Sequence, residues 1–207
     1  FQGNHTNTIQ GLMKEGFGLF ILSEVMFSVA WFWAFFHCSL APPVELGCVW
    51  PSNCIDLIST WGVPWFNTVL LLSSGATVTL CHHCLMCSRY KHSFSSLQAT
   101  IWLALIFTFW QGYEYQTTWL NISDGNAGST FFLATGFHGI HVLIGTIFLT
   151  ISMVRQLYYH YSSMHLFGFE AASWYFHFVD VVWLFLFLTI YWWGNIRVES
   201  LVRSSPI

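Results

Sequence analysis

Four of the ionisable side chains inside the apolar stretches of the chain stand out: Glu24, His138, His141 and Asp180. Such residues are costly in lipid, so each of them invites a functional interpretation. His138 and His141 are three residues apart, which would place them on neighbouring parts of one helix face. Glu24 fits either a proton relay or a hydrogen-bonded structural role, and from the residue type alone we favour the structural role.

The two histidines and Asp180 fall at similar depths in two apolar stretches that follow each other along the chain. We therefore predict that they share a buried polar network. This network could join consecutive helices by hydrogen bonds, or it could ligate a metal or haem. Haem and copper need ligands that converge from facing helices, and the sequence shows no diagnostic ligand spacing. We favour the structural network and expect no cofactor to be bound by this chain.

A second candidate for metal chemistry is the segment Cys81–Cys87, which has the spacing C-x2-C-x2-C. It lacks the final histidine of haem attachment, and no second ligand cluster completes a zinc or iron–sulfur site. Thiols pack well among apolar neighbours, so we expect packing and not ligation. Cys48 and Cys54 could form a disulfide in an oxidising compartment, and the sequence leaves that question open.

The composition predicts the elements that position these residues. Of the 207 residues, 55% are hydrophobic and only 7% are charged, whereas a soluble domain carries about 25% charged residues. Lipid is the better solvent for such a chain, which excludes a soluble enzyme, a nucleic-acid-binding protein and a disordered tail. Five apolar stretches can each cross a hydrocarbon core of about 30 Å as helices. They are 17–40, 63–86, 97–119, 129–153 and 171–194.

These stretches predict an all-α integral membrane protein with a bundle of five transmembrane helices. Residues 1–194 would form a single helical domain, and 195–207 a C-terminal extension. Tryptophan and tyrosine crowd the ends of the stretches, where we expect them to anchor the helices at the membrane interfaces. These residues are Trp61, Trp65, Trp119, Tyr191, Trp192 and Trp193.

The charges between the stretches predict an orientation. We call the end of the bundle where the first helix begins side 1, and the opposite end side 2. Four of the six Lys and Arg residues fall on side 1: Lys14, Arg89, Lys91 and Arg155. The loops on side 2 carry carboxylates and no Lys or Arg. The positive-inside rule therefore places side 1 in the cytoplasm or the mitochondrial matrix.

Several runs of residues, in a fixed order, resemble those of one family. The runs are Phe1–Thr6, Leu22–Val25, Phe32–His37, Ser39–Pro42, His82–His83, Ile122–Gly125, Gly128–His141, Phe167–Ala172 and Trp174–Trp183. Together they closely resemble subunit III of cytochrome c oxidase, of the mitochondrial type. The resemblance extends from residue 1 to about Gly194.

The resemblance implies a seven-helix protein that flanks the haem–copper catalytic subunit, subunit I, and carries no redox centre itself. The family stabilises subunit I, influences proton uptake on the matrix side and holds phospholipids in a cleft. This chain resembles only the last five helices, so we expect a separate chain to supply the first two. It also implies the mitochondrial inner membrane, with the N-terminal end in the matrix and the C-terminus in the intermembrane space.

The roles of individual residues likewise follow from the resemblance. Glu24 corresponds to the family's buried glutamate, while His138, His141 and Asp180 correspond to motif residues of the last two helices. We expect these four residues to serve proton uptake or a buried polar network. The residues expected to contact lipid are His5, Trp33, His37, His82, His83, Glu170 and His177.

Three other interpretations compete with this one. Subunit III of a quinol oxidase belongs to the same family, and a dinuclear copper site in the partner subunit separates the two. A membrane transporter module would need broken helices or an inverted repeat, and we find neither in the sequence. A redox-active subunit would bind haem, which an optical spectrum of the chain would reveal.

Overall fold

A computed structural model describes residues 6–42, 44, 48, 50, 58–162 and 165–194 of the chain. Within these residues it contains long α-helices and no β-strand. The helices are α1 (Asn7–Leu40), α2 (Val63–Met86), α3 (Tyr90–Thr117), α4 (Gly125–Leu157) and α5 (Phe167–Leu186). A π-helical segment, Phe187–Trp193, continues α5. All five helices are long and apolar enough to cross a membrane, which confirms the predicted fold class.

Four of the helices extend beyond the apolar stretches, and only α2 coincides with its stretch. The extension is largest for α1, which begins at Asn7 and not at Phe17. The added segment carries Lys14 and Glu15, which headgroups or water can solvate while the backbone keeps its helical hydrogen bonds. As a result, Glu24 lies near the midpoint of α1 and not close to one end.

Helices α2 and α4 end on side 1 with the same turn. Ser88 and Tyr159 adopt positive φ angles of 58° and 55° directly after the respective helices. The Ser88 and Arg89 N–H groups donate to the carbonyls of Leu85 and Cys84, at 3.0 and 2.8 Å. This αL ending satisfies the last carbonyls of α2 and leads into α3 within three residues. The chain therefore crosses the membrane again at once, as a tight α2–α3 hairpin.

The core lies where α2, α3, α4 and α5 meet. Trp183 of α5 is fully buried, and its ring meets that of Phe107 of α3 edge-on at 4.9 Å. The indole N–H of Trp183 also donates to the Thr68 hydroxyl of α2, at 3.0 Å. In contrast, α1 packs against α4 and α5 on the outside of this core. Only 6% of the residues in its most apolar stretch are buried, against 50% in the last helix.

Candidate functional site

A short polar contact between two helices joins Glu24 of α1 to His141 of α4. Glu24 Oε2 lies 2.7 Å from His141 Nε2. The Glu24 side chain is 23% exposed and that of His141 is 15% exposed, so both are largely shielded within the chain. Both residues lie near the midpoints of their helices. The contact therefore ties the peripheral helix α1 to the core at mid-depth.

The second nitrogen of His141 defines the chemistry of this pair. His141 Nδ1 lies 2.6 Å from the Phe137 carbonyl oxygen, which can only accept a hydrogen bond. Nδ1 therefore donates to this carbonyl, and a hydrogen bond between His141 Nε2 and Glu24 Oε2 then requires a second proton on one of these two atoms. With that proton on nitrogen the two groups form an ion pair, and with it on oxygen they form a neutral pair. The arrangement can thus hold and shift one proton within the apolar layer.

His138, one turn earlier in α4, is not part of this pair. Its side chain is buried beside two aromatic rings, with the Phe107 centroid at 5.8 Å and the Trp183 centroid at 5.1 Å. Neither ring nitrogen of His138 has a hydrogen-bond partner among the described residues. The predicted single network of both histidines with Asp180 is therefore wrong. Spacing along a helix could not show which neighbouring helix each histidine faces.

Asp180 instead belongs to a contact between α5 and α2. Its Oδ2 lies 3.8 Å from His177 Nδ1, and His177 Nε2 lies 3.3 Å from the Thr79 hydroxyl. Gly75 of α2 passes directly over the carboxylate, since a Cβ atom at that position would lie 2.7 Å from Asp180 Oδ2. His177, predicted as a lipid contact, thus also links the two helices through its ring.

A groove runs beside the Glu24–His141 pair, between α1, α4 and α5. Its aromatic walls come from Phe27, Trp31, Phe32, Phe137 and Phe178. His138 and His141 also line it. Such walls suit an aliphatic chain, and the imidazoles give the groove polar points at mid-depth.

On side 1 an ion pair joins the beginnings of α1 and α5. Lys14 Nζ lies 2.9 Å from Glu170 Oε2. His82, near the end of α2, stacks on Phe169 at 6.0 Å, while the neighbouring His83 is exposed. This end of the bundle therefore combines a lysine and an exposed imidazole, which can meet the phosphate of a lipid headgroup.

The other predicted lipid contacts lie elsewhere. Trp33, which is 72% exposed, and His37, which is also exposed, lie on the outer surface of α1 towards side 2. His5 lies outside the described residues. The structure therefore divides the predicted lipid contacts between the two ends of the bundle and does not bring them into one site.

The cysteines of the C-x2-C-x2-C segment lie in different environments. Cys81 is buried with its Sγ 3.1 Å from the Ser93 hydroxyl, whereas Cys87 is exposed. Within the described part of the chain, no three His, Cys, Asp or Glu side chains are grouped as metal ligands. Cys54 is not described, so the pairing of Cys48 with Cys54 stays a prediction.

The sequence interpretation missed a buried polar cluster near side 2. Gln111 and Glu114 of α3 are 5% and 3% exposed, and Tyr191 of the π-helical segment is 2% exposed. We had expected Tyr191 to lie at the membrane interface, but its ring packs inside against Phe131, with the centroids 5.6 Å apart. The sequence did contain a signal for this cluster, because Gln111 and Glu114 lie three residues apart within an apolar stretch.

Comparison with known proteins identifies the family of this chain. The family model described as cytochrome c oxidase subunit III matches residues 1–195. Cytochrome c oxidase subunit 3 of Marchantia polymorpha is 56% identical over 195 residues, which cover 94% of this chain and 74% of that protein. The Arabidopsis thaliana protein of the same name shows the same identity and coverage. That of Chondrus crispus is 53% identical, with 94% and 72% covered.

These matches agree with the five membrane-spanning helices and with the resemblance drawn from the sequence. The chain belongs to the cytochrome c oxidase subunit III family, and it is a multi-pass membrane subunit of that oxidoreductase complex.

Proposed function

We propose that this chain is a non-redox core subunit, which stabilises the haem–copper subunit I, holds phospholipid and supports proton uptake during oxygen reduction. Haem and copper would lie in partner subunits. The observation that carries the proposal is the 2.7 Å contact between Glu24 and His141. It uses the one nitrogen of His141 that the Phe137 carbonyl leaves available, so this imidazole serves proton chemistry and helix attachment within the chain.

The proton-related part of the proposal rests on the shared proton of that pair. A carboxyl and an imidazole that share one proton at 2.7 Å form a pair that is neutral overall, so uptake of a second proton must be balanced by release of one if the pair is to stay uncharged in lipid. Because Glu24 is on α1 and His141 on α4, the same contact also fixes the helix that forms one wall of the groove.

Replacement of Glu24 by alanine tests both roles in the assembled oxidase. We expect haem content and electron transfer to stay largely intact, because the proposal places the redox centres in other subunits. Loss of an interhelical hydrogen bond costs about 0.6–2 kcal/mol in membranes, or roughly a 3- to 30-fold weaker attachment of α1. We therefore expect faster inactivation during turnover and lower phospholipid retention, measured by activity decay and lipid mass spectrometry.

Two further variants complete this experiment: Glu24→Gln separates the two roles, and Glu15→Gln is the control. The glutamine at 24 keeps a hydrogen bond to His141 but cannot share a proton, so it should keep lipid while losing the proton-dependent effect. Glu15 is exposed on side 1, and Glu15→Gln should behave like the unmodified oxidase. Complete loss of haem in Glu24→Ala, or unchanged turnover stability together with unchanged lipid content, would contradict the proposal.

We place phospholipid in the groove between α1, α4 and α5. The aromatic walls suit acyl chains, and Lys14 and His83 on side 1 offer charge and hydrogen bonds to a phosphate. Trp33 and His37 would contact a second region of lipid towards side 2. Lipid mass spectrometry of oxidase with Lys14→Ala, showing undiminished phospholipid, would count against the side 1 headgroup contact.

The outer face of α1 is proposed as a contact surface for the rest of the oxidase. It exposes large apolar side chains that the chain itself does not cover, including Leu19, Leu22 and Met26. The relatives are longer, since the matched 195 residues make up 72–74% of their length. We propose that helices outside residues 1–207 pack here. A map of the complex with only lipid along this face would contradict it.

We propose the mitochondrial inner membrane as the location, with side 1 facing the matrix. Cys87 provides the test, because it is exposed at the side 1 end of α2 whereas Cys81 is buried in the same helix. A membrane-impermeant maleimide should label Cys87 in inverted inner-membrane vesicles and not in mitoplasts. Cys87→Ser should abolish this labelling, and labelling of Cys87 in mitoplasts alone would reverse the orientation.

A further inference from the structure

The buried polar cluster near side 2 is separate from the Glu24–His141 pair. Gln111 and Glu114 lie in the last two turns of α3, three residues apart, so their side chains share one helix face. The Tyr191 hydroxyl, from the π-helical segment that follows α5, lies beside both of them. The cluster thus joins two helices at the end of the bundle opposite to Lys14 and Glu170.

The polar atoms of this cluster are buried without protein partners. Both carboxyl oxygens of Glu114, the amide oxygen and nitrogen of Gln111 and the Tyr191 hydroxyl lack hydrogen-bond geometry to any described protein group. None of the Lys, Arg and His side chains among the described residues forms an ion pair with Glu114. A buried polar group without a partner costs about 1–3 kcal/mol, so five such atoms together would strongly oppose this packing.

The surroundings hold the three side chains in place. The Tyr191 ring packs against Phe131 and Trp183, with centroids 5.6 and 5.9 Å away. Its backbone carbonyl accepts a hydrogen bond from the Thr60 hydroxyl at 2.7 Å. The wider π-helical turn disrupts the regular α-helical ladder, and such turns often mark functional sites. The hydroxyl is therefore fixed next to the carboxyl and cannot simply turn away towards lipid.

We propose that Gln111, Glu114 and Tyr191 form an internal water-binding site near side 2. A water molecule can accept from the Tyr191 hydroxyl or the Gln111 amide N–H and donate to the Glu114 carboxyl or the Gln111 amide oxygen. Buried waters typically make about three such bonds to otherwise unpaired groups. The ligand is water itself, and bound water gives Glu114 a solvated position inside the bundle that does not depend on the Glu24–His141 pair.

A map of the assembled oxidase at a resolution that shows ordered water tests this site. We expect ordered density within hydrogen-bond distance of Glu114, Gln111 and Tyr191. Glu114→Gln should retain it, because the amide still donates and accepts. Gln111→Leu combined with Glu114→Leu should lose it, while Gln116→Leu, on the exposed face of α3, should not affect it. Absence of ordered water density beside Glu114, Gln111 and Tyr191 in such a map would overturn the proposal.

Radiolytic hydroxyl labelling gives a second readout, since radicals formed from bound water modify the side chains beside it. Tyr191 should be oxidised in the unmodified oxidase despite its burial, and several-fold more slowly in the Gln111→Leu, Glu114→Leu double variant. Trp183 is buried nearby with its N–H bonded to Thr68, and its labelling should be the same in both. Equal labelling of Tyr191 in the two proteins would overturn the proposal, whether or not the double variant alters stability.

Discussion

Replacement of Trp183 by alanine is expected to lower the free energy of unfolding of the bundle by about 3–5 kcal/mol. The indole is fully buried where α2, α3, α4 and α5 meet. Its removal would leave a cavity against Phe107 and His138 and would end the hydrogen bond to Thr68. Association of transmembrane helices depends on close packing, so this cavity acts directly on the contacts that hold the bundle together. Thermal release of the chain from the purified oxidase measures the effect.

Two variants separate packing from hydrogen bonding and from the loss of a tryptophan in general. Thr68→Val keeps the shape of the side chain but removes the acceptor of the indole N–H and the donor to the Pro64 carbonyl, so its effect should be about 1–3 kcal/mol. Trp102 is 59% exposed on α3, and Trp102→Ala should change the release temperature far less than Trp183→Ala. If the two alanine variants were released at the same temperature, the four-helix core around Trp183 would be misplaced.

Gly75→Ala should make the oxidase less stable than Gly139→Ala by about 1–3 kcal/mol. Both glycines lie inside helices, so alanine brings each helix the same gain of about 1 kcal/mol in intrinsic propensity. The difference lies in the surroundings. A Cβ atom on Gly75 would lie 2.7 Å from Asp180 Oδ2, whereas nothing lies within 4 Å of one on Gly139. The carboxylate would have to move, which disturbs its contact with His177.

A double-mutant cycle tests the cause of this effect. In an Asp180→Ala background the obstacle to the new methyl group is absent, so Gly75→Ala should then resemble Gly139→Ala. Residues in contact show coupling energies of about 0.5–3 kcal/mol, which thermal release of the chain can resolve. Strict additivity of Gly75→Ala and Asp180→Ala would show that the glycine is not required for the approach of the carboxylate.

The fold was predictable because the membrane imposes it. A stretch of apolar residues in lipid must form a helix to satisfy its own backbone, so the length and polarity of each stretch were sufficient. The outer ends of the helices could not be predicted in this way. Helix α1 continues through Lys14 and Glu15, whose charges had excluded this segment from the predicted apolar stretch. The predicted bounds of α2 agree with the observed helix because Pro64 lies at its start and a tight turn follows its end.

The pairing of polar residues was only partly predictable. The sequence identified Glu24, His141 and Asp180 as buried, since each is isolated among apolar residues. It could not show that His141 meets Glu24 across 117 residues of chain, because rotation of one helix about its axis determines the partner. Tyr191 was misplaced for a related reason. A π-helical segment changes the angular position of each residue, so a tyrosine at the end of a helix turned inward.

The peripheral position of α1 has a consequence for biosynthesis. Helix α1 is made before α4 and α5, against which it packs, while the α2–α3 hairpin closes locally. Helix α1 must therefore remain in the bilayer with its carboxyl at position 24 unpaired until translation has passed His141. During that interval an insertase or another resident of the membrane has access to the same surface. Maturation of this subunit thus contains a defined waiting step, which ends when α4 arrives.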